Sequence, residues 1–468
     1  MPNDHAQLLD ALRRDYEAKF LNSKAAHQRA KEVLVDGISH GARLFDPYPF
    51  RVRSANGARV TDIDGNTIID FWQGHYANIL GHNPDVVRDV LTQELDDGWG
   101  LQTGLPEERQ TEFAEVLARA TGNERVRLTT AGTLATMYAI MLCRAFTKRS
   151  LVVKVAGGWH GANPLALKGV DRTADGFDRV DSAGVSASTG EETVVIAFND
   201  VDLLRKVFRS LGDRIACLIF EPCLGGGGFL PATRDFMAEA RALTEQYGAL
   251  LILDEVITGF RYCAGGLQRL YGVQADLTTF GKIVGGGMPL SVVAGRADVM
   301  DLCAAKASPR VWFNGGTFSA HPLALLAGIT LVNYLVAHEG EIYPALAAKG
   351  DYLREGIERA FAREGILART TGHSRGAAAG GSLLSVNFPL REDLVLRSAE
   401  EALNPALCDV TLREKALKLG LLLHDVNVSH GMGAISMAHS DADLDRVIAA
   451  YGAVAQRFAA ERRAGGAG

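Results

Sequence analysis

The sequence predicts an α/β protein: a mostly parallel sheet with helices on both faces, followed by a smaller α+β lobe. Three observations carry this expectation. Short apolar runs alternate with helical stretches from about residue 110 to 300. Glycines cluster just after those runs, at Gly157-Gly158, Gly225 to Gly228 and Gly285 to Gly287, where an α/β sheet brings its ligand to the carboxyl ends of strands. Beyond about residue 325 the alternation stops and a long helical stretch begins.

In chain order, residues 1–35 read as helical, because Leu8, Leu9, Leu12, Tyr16 and Phe20 recur at helical spacing. Such a segment could pack on a partner subunit or on its own core. Residues 51–72 read as a hairpin with a two-residue turn at Asp64-Gly65. The strand runs of the central region are Val126–Thr129, Leu151–Val153, Thr193–Ile196, Cys217–Phe220, Leu250–Leu253 and Leu290–Val293, with a helix expected from Phe236 to Tyr247. The last lobe carries a helix from Leu323 to Val336, strands at Ser382–Phe388 and Gly433–Met437, and a fraying tail from Arg462. Three segments follow: 1–70 as helix and hairpin, 71–325 as the large domain, and 326–468 as the small one.

Composition narrows the function. The chain has 468 residues, 47% of them hydrophobic, and a formal net charge of −6. That length buries a core without disulfides or a structural metal. The mild acidity argues against nucleic-acid or membrane-surface binding. The six cysteines are scattered with no CxxC pair, which suits a reducing compartment. The N-terminus lacks a basic stretch leading into an apolar core, and no run of 18 apolar residues occurs. The expected compartment is the cytoplasm. A Rossmann dehydrogenase is disfavoured, since no GxGxxG follows a first strand.

Four pieces carry chemistry. Thr129-Thr130-Ala131-Gly132-Thr133 ends a strand and opens a helix, so free N–H groups could take a phosphate, or a threonine could simply cap the helix. The apolar strand Leu250–Leu253 ends in Asp254 and Glu255. A carboxylate there needs a cation, such as a protonated pyridine nitrogen, unless it caps a helix or binds a metal. Lys282 follows an apolar run and precedes a glycine run; a desolvated lysine can form a Schiff base, whereas a surface lysine does nothing of the kind. Trp159, in Gly157-Gly158-Trp159-His160, could stack on a flat ring or belong to the core.

Together these pieces resemble the class III aminotransferases, which are pyridoxal-phosphate enzymes of fold type I. The most specific match is Leu253-Asp254-Glu255-Val256-Ile257-Thr258-Gly259-Phe260-Arg261 with Thr279-Phe280-Gly281-Lys282, 28 residues from Asp to Lys. Gly81-His82-Asn83-Pro84, Phe198-Asn199-Asp200, Glu221-Pro222 and Gly315-Gly316-Thr317-Phe318-Ser319 match too. The resemblance spans about residues 30–450 and is nearest to the glutamate-1-semialdehyde aminomutase branch. It implies a seven-stranded, mostly parallel sheet and pyridoxal 5'-phosphate as cofactor. It implies Lys282 as the residue that carries the cofactor and moves the proton. It also implies Asp254 at the ring nitrogen, Val256 under the ring and Trp159 on its other face. His160 and Glu221 would support these groups, and Gly132 and Thr133 would bind the phosphate. Gly316 and Thr317 would reach the phosphate of a neighbouring subunit, so the active site would be shared across a homodimer. Arg43 would grip a substrate carboxylate, although a surface salt bridge accounts for it equally well. Trp72, His75 or Tyr76 would line the substrate pocket.

The departures bear on the reaction. The family's phosphate turn reads Ser-Gly-Thr-Glu-Ala, where this chain has Ala131-Gly132-Thr133-Leu134-Ala135. Thr129 or Thr130 would have to replace the lost hydroxyl. The mutase branch carries a glutamate at the position of Gly431. The sequence reading is therefore an aminotransferase passing an amino group from an amino-acid donor to a carboxylate-bearing keto or aldehyde acceptor. The alternatives are an intramolecular aminomutase of the glutamate-1-semialdehyde type and a non-catalytic protein on the same fold.

Overall fold

The computed structural model describes residues 5–98, 101–372 and 381–465. Its largest sheet has seven strands in the order Arg125–Thr129, Ser291–Gly295, Leu277–Phe280, Leu250–Glu255, Ile215–Phe220, Leu151–Val155, Thr193–Ile196. Only Ser291–Gly295 runs against its neighbours. The strands Leu151–Val155, Ile215–Phe220 and Leu250–Glu255 are buried along their whole length. Helices cover both faces, which is why these strands read as continuous apolar runs rather than alternating ones. Gly132–Thr147 lies on one face, and Arg234–Tyr247 packs on the strands Leu250–Glu255 and Ile215–Phe220.

The chain enters this sheet at its edge strand and crosses through Gly132–Thr147 to Leu151–Val155, almost at the opposite edge. The next strand, Thr193–Ile196, takes that opposite edge, and the strands after it fill the space between. A crossover of this kind leaves a crevice at the carboxyl ends of the central strands.

The small lobe has an antiparallel sheet of Arg369–Thr371, Leu383–Asn387 and Met432–Ala434, backed by the long helices Glu339–Arg363 and Asp441–Gly465. The strand expected at Gly433–Met437 ends at Ala434. Of the expected frayed tail, residues 466–468 lie outside the described residues.

The N-terminal segment packs on its own chain. Leu8, Leu9, Leu12, Tyr16 and Phe20 are all buried, the first helix lying on Leu417–Leu423. Lys19 Nζ bonds Asp425 Oδ1 at 2.7 Å. The strand Val426–Asn427 then pairs in parallel with Thr67–Asp70, joining the N-terminal meander to the C-terminal lobe. The meander differs from expectation at its turn. Four residues, 63–66, separate its strands instead of two, because the Asp62 carboxylate accepts from the backbone of Asp64 and Asn66 and from the Asn66 amide.

Candidate active site

Asp254 sits at the carboxyl end of its strand, in register with Thr279, and is 3% exposed. Its Oδ1 accepts from the Thr279 hydroxyl at 2.8 Å and from the Val256 N–H at 3.1 Å. Its Oδ2 lies 2.7 Å from His160 Nδ1. Burial pushes the His160 pKa down despite that carboxylate, so the ring is neutral and donates Nδ1–H to Asp254. Three donors therefore hold Asp254 in one orientation. In the sequence Thr279 is simply one residue of the Thr279-Phe280-Gly281-Lys282 motif. Its role emerges from strand register, which a single sequence does not display.

Lys282 follows at the end of the neighbouring strand, with φ +53°, a left-handed conformation that costs a lysine energy and that the surrounding packing must impose. Burial lowers its pKa, while Asp254 and Glu221 pull it back up. Such a lysine yields its proton more readily than one in water.

Val256 stands between two glycines. A Cβ on Gly132 would lie 3.0 and 3.1 Å from the Val256 methyls, and one on Gly281 would lie 3.2 Å from the first of them. Thr133 is hemmed in likewise: a Cβ on Gly161, at φ +83°, would fall 2.3 Å from its hydroxyl. The helix Gly132–Thr147 begins at Ala131, which offers no side-chain cap, so its leading N–H groups remain available to an anion. Of the two candidate substitutes for the missing phosphate hydroxyl, Thr129 is already used, donating to Ala131 O at 3.2 Å.

Glu221 bridges two loops. Its oxygens accept from Trp159 N–H at 3.0 Å and Gly225 N–H at 3.1 Å. Burial, with Asp254 adding to it, pushes its pKa up to about 8. Lys154 anchors the same loop by donating to Gly158 O and Ala166 O. A lysine inside the apolar run Leu151–Val155 was the sequence signal for it.

The remaining expected residues lie at the rim. The Trp159 side chain is 43% exposed. Thr317 is exposed and its carbonyl accepts from Gln102 Nε2 at 2.8 Å, while a Cβ on Gly316 would be 4.0 Å from Thr130 Oγ1 of the same chain. Arg43 is exposed; it has no carboxylate partner among the described residues, only a long contact of 3.4 Å to Ser39 Oγ.

Trp72 opens a segment the sequence did not foreshadow. Gln73, Gly74, His75 and Tyr76 all have positive φ, between +43° and +68°, forming one left-handed helical turn. Three of the four are not glycine, at about 1–2 kcal/mol each. The buried carboxylate of Asp70 offsets that cost. It accepts from the N–H groups of Trp72 and Gln73 and from Asn427 Nδ2, and lies 2.8 Å from His82 Nε2. Burial alone would raise the Asp70 pKa, but His82 and Asn427 outweigh it and hold the carboxyl below its usual range. The turn packs Trp72 against His75, with ring centroids 4.3 Å apart and the rings tilted by 60°, and sets the His75 ring 5.2 Å from that of His40; burial, and then the positive charges of Arg43, His40 and Lys282, pull its pKa down to about 4.

A buried carboxylate fixed by three donors, a desolvated lysine on the next strand and an uncapped helix N-terminus fit pyridoxal 5'-phosphate. The family model for aminotransferase class-III matches residues 41–418. The chain belongs to the class III aminotransferase family. It is 34% identical to the glutamate-1-semialdehyde 2,1-aminomutase of Methanococcoides burtonii over 92% of this chain and 97% of that one. Among solved structures it resembles a β-phenylalanine aminotransferase from Variovorax paradoxus, at 28% identity and a TM-score of 0.83, covering 95% of this chain and 96% of the other. It also resembles a transaminase with PLP bound, at 29% identity and a TM-score of 0.81, covering 95% and 99%. The fold is fold type I and the cofactor is pyridoxal 5'-phosphate. Among the described residues no group of His, Cys, Asp and Glu could hold a metal ion, and no single helix is long and apolar enough to cross a membrane.

Proposed function

We propose that this class III enzyme moves an amino group on a small carboxylate-bearing substrate, with the intramolecular 2,1-shift named for its relatives as the first reading. One observation carries it: a relative named as the aminomutase is 34% identical over nearly the full length of both chains. This weighs the sequence's alternative above the intermolecular transfer it put first.

The cofactor supplies an electron sink for the carbanion left by proton loss. The chain's own residues do the rest. Asp254, oriented by His160 and Thr279, holds the proton on the ring nitrogen. Lys282 carries the cofactor and moves a proton at the reacting carbon, a task suited to its lowered pKa. Val256 supports one ring face and Trp159 the other. Glu221 ties the Trp159 loop to the Gly225 loop. Gly132 and Thr133 hold the phosphate, joined by Gly316 and Thr317 of a second copy in a cytoplasmic homodimer. Arg43 and Trp72 receive the substrate.

A second reading, transfer between two substrates, is favoured by Gly431. The resemblance to the aminomutase branch implies a glutamate at that position. Here the residue has φ +69°, and a Cβ would lie 2.8 Å from Arg413 Cγ, so this backbone does not accept that side chain. The test is to give the reconstituted enzyme glutamate 1-semialdehyde and follow its isomer with the amino group on C1. Formation of that isomer without a second carbonyl compound establishes the shift. Amino transfer only when a separate donor and acceptor are both present refutes it and establishes the second reading.

A further inference from the structure

At the end of the main sheet away from Asp254, the amino ends of three neighbouring parallel strands carry a cleft. Arg149 and Ser150 lead into Leu151–Val155, Glu192 into Thr193–Ile196, and Asp213 and Arg214 into Ile215–Phe220. Arg144 and Lys148 join them from the last turn and the C-cap of the helix Gly132–Thr147. At about 3.3 Å per residue, the strand Ile215–Phe220 sets this cleft roughly 20 Å from Glu221.

The cavity measures about 510 Å³, and every side chain lining it is charged or carries a hydroxyl. Four cations line it against two carboxylates, in a chain whose net charge is −6. Among the described residues the cleft contains one ion pair, Arg144 to Glu192 at 3.2 Å. Lys148 and Arg214 are exposed, and their side chains have no hydrogen-bond or ion-pair partner among the described residues. Arg149 lacks a carboxylate too, yet it is fixed. Its Nη1 donates to Tyr247 O at 2.8 Å, Ile215 O at 3.1 Å and Gly212 O at 3.3 Å. Bonds on both sides of Asp213-Arg214 bring that pair of residues against Arg149. The three carbonyls are neutral, so they hold the guanidinium in place and leave its charge uncompensated. Capping the helix Arg234–Tyr247 accounts for one of these bonds and for none of the other cations. Gathered cations repel one another, and a bound anion removes that cost.

We propose that this cleft is a second anion site, remote from the cofactor, which takes a small phosphate-type anion bearing at least two charges. Arg149 supplies the rigid guanidinium, Lys148 and Arg214 add charge, and the exposed Ser150 offers a hydroxyl. No apolar side chain lines the cleft, so the charged group itself is what the site recognises.

The test uses the full-length enzyme loaded with its cofactor, so that the cofactor's own phosphate seat is filled. Pyrophosphate is titrated calorimetrically at constant ionic strength while the visible band of the bound cofactor is followed. Lys148→Gln with Arg214→Gln removes two exposed charges from the cleft. Arg391→Gln with Lys415→Gln removes two exposed charges from the small lobe and serves as control. Pyrophosphate should bind the wild type saturably and leave the visible band unchanged. The cleft variant should bind it at least about tenfold more weakly, as expected when contacts to a charged group are lost, and the control should stay within about twofold of wild type. No binding to the wild type overturns the proposal. So does equal weakening in the two double variants, which would make the attraction a property of overall charge. A visible band that falls in step with the heat also overturns it, by placing pyrophosphate at the cofactor seat.

Discussion

Replacing Gly132 by alanine should loosen the cofactor without unfolding the protein. The added Cβ would meet the two Val256 methyls at 3.0 and 3.1 Å, closer than carbon atoms settle, and Val256 would have to give way toward the ring seat. Overpacking of this kind costs about 1–3 kcal/mol. Alanine at a helical position returns roughly 0.5–1 kcal/mol through helix propensity, so the cofactor-free protein should lose at most about 2.5 kcal/mol and stay folded. Cofactor binding should instead weaken by a factor of roughly 5 to 150. The assay is the dissociation constant for pyridoxal 5'-phosphate, read from the visible absorbance as cofactor is added back to the stripped enzyme. Val256→Ala in the same background removes the clashing methyls. The double variant should therefore bind more tightly than the sum of the single losses allows, by about 1–2 kcal/mol. Additive losses, or a Gly132→Ala variant that binds cofactor like wild type, would refute the view that Val256 is pinned between two glycines under the ring.

Lys282→Ala should lose the visible band of lysine-bound cofactor together with all turnover, and full activity in that variant would end the assignment. Asp254→Ala should retain the fold but cripple proton removal; wild-type rates would show that another group keeps the ring nitrogen protonated. Asp70→Asn should destabilise the protein by about 2–3 kcal/mol, because an amide replaces an acceptor facing several donors. Since the folded Asp70 pKa is depressed, its contribution is present above the unfolded value near 4 and disappears as pH falls through the folded one. Denaturant melts from pH 7 to 3 should show a shallower acid limb in the variant. Glu221 has the opposite sign. Its raised pKa favours the fold below the unfolded value near 4.3 and withdraws that stability as pH rises through about 8. Glu221→Gln should flatten the melting temperature of the cofactor-free protein between pH 6 and 8, and an unchanged slope would point to another group.

The signature of the cofactor was written locally, and so the sequence alone carried it. Asp254 lies at the carboxyl end of a buried apolar strand, Lys282 just beyond the end of the next one, and Gly132 opens a helix; each such placement has only a few physical explanations. Strand runs, glycine positions and the sheet's parallel character likewise follow from short-range pattern. The backbone that follows Asp70 was decided by tertiary structure. Gln73, His75 and Tyr76 carry no local reason to adopt a left-handed turn. They do so because Asp70 is itself pinned by His82 and by Asn427, which lies 357 residues further along the chain. The same contact draws the N-terminal meander onto the C-terminal lobe, a pairing that three segments read in chain order could not display. Hydrogen bonds between distant residues can hold a backbone in a conformation its own sequence disfavours, and only the folded chain shows where that happens.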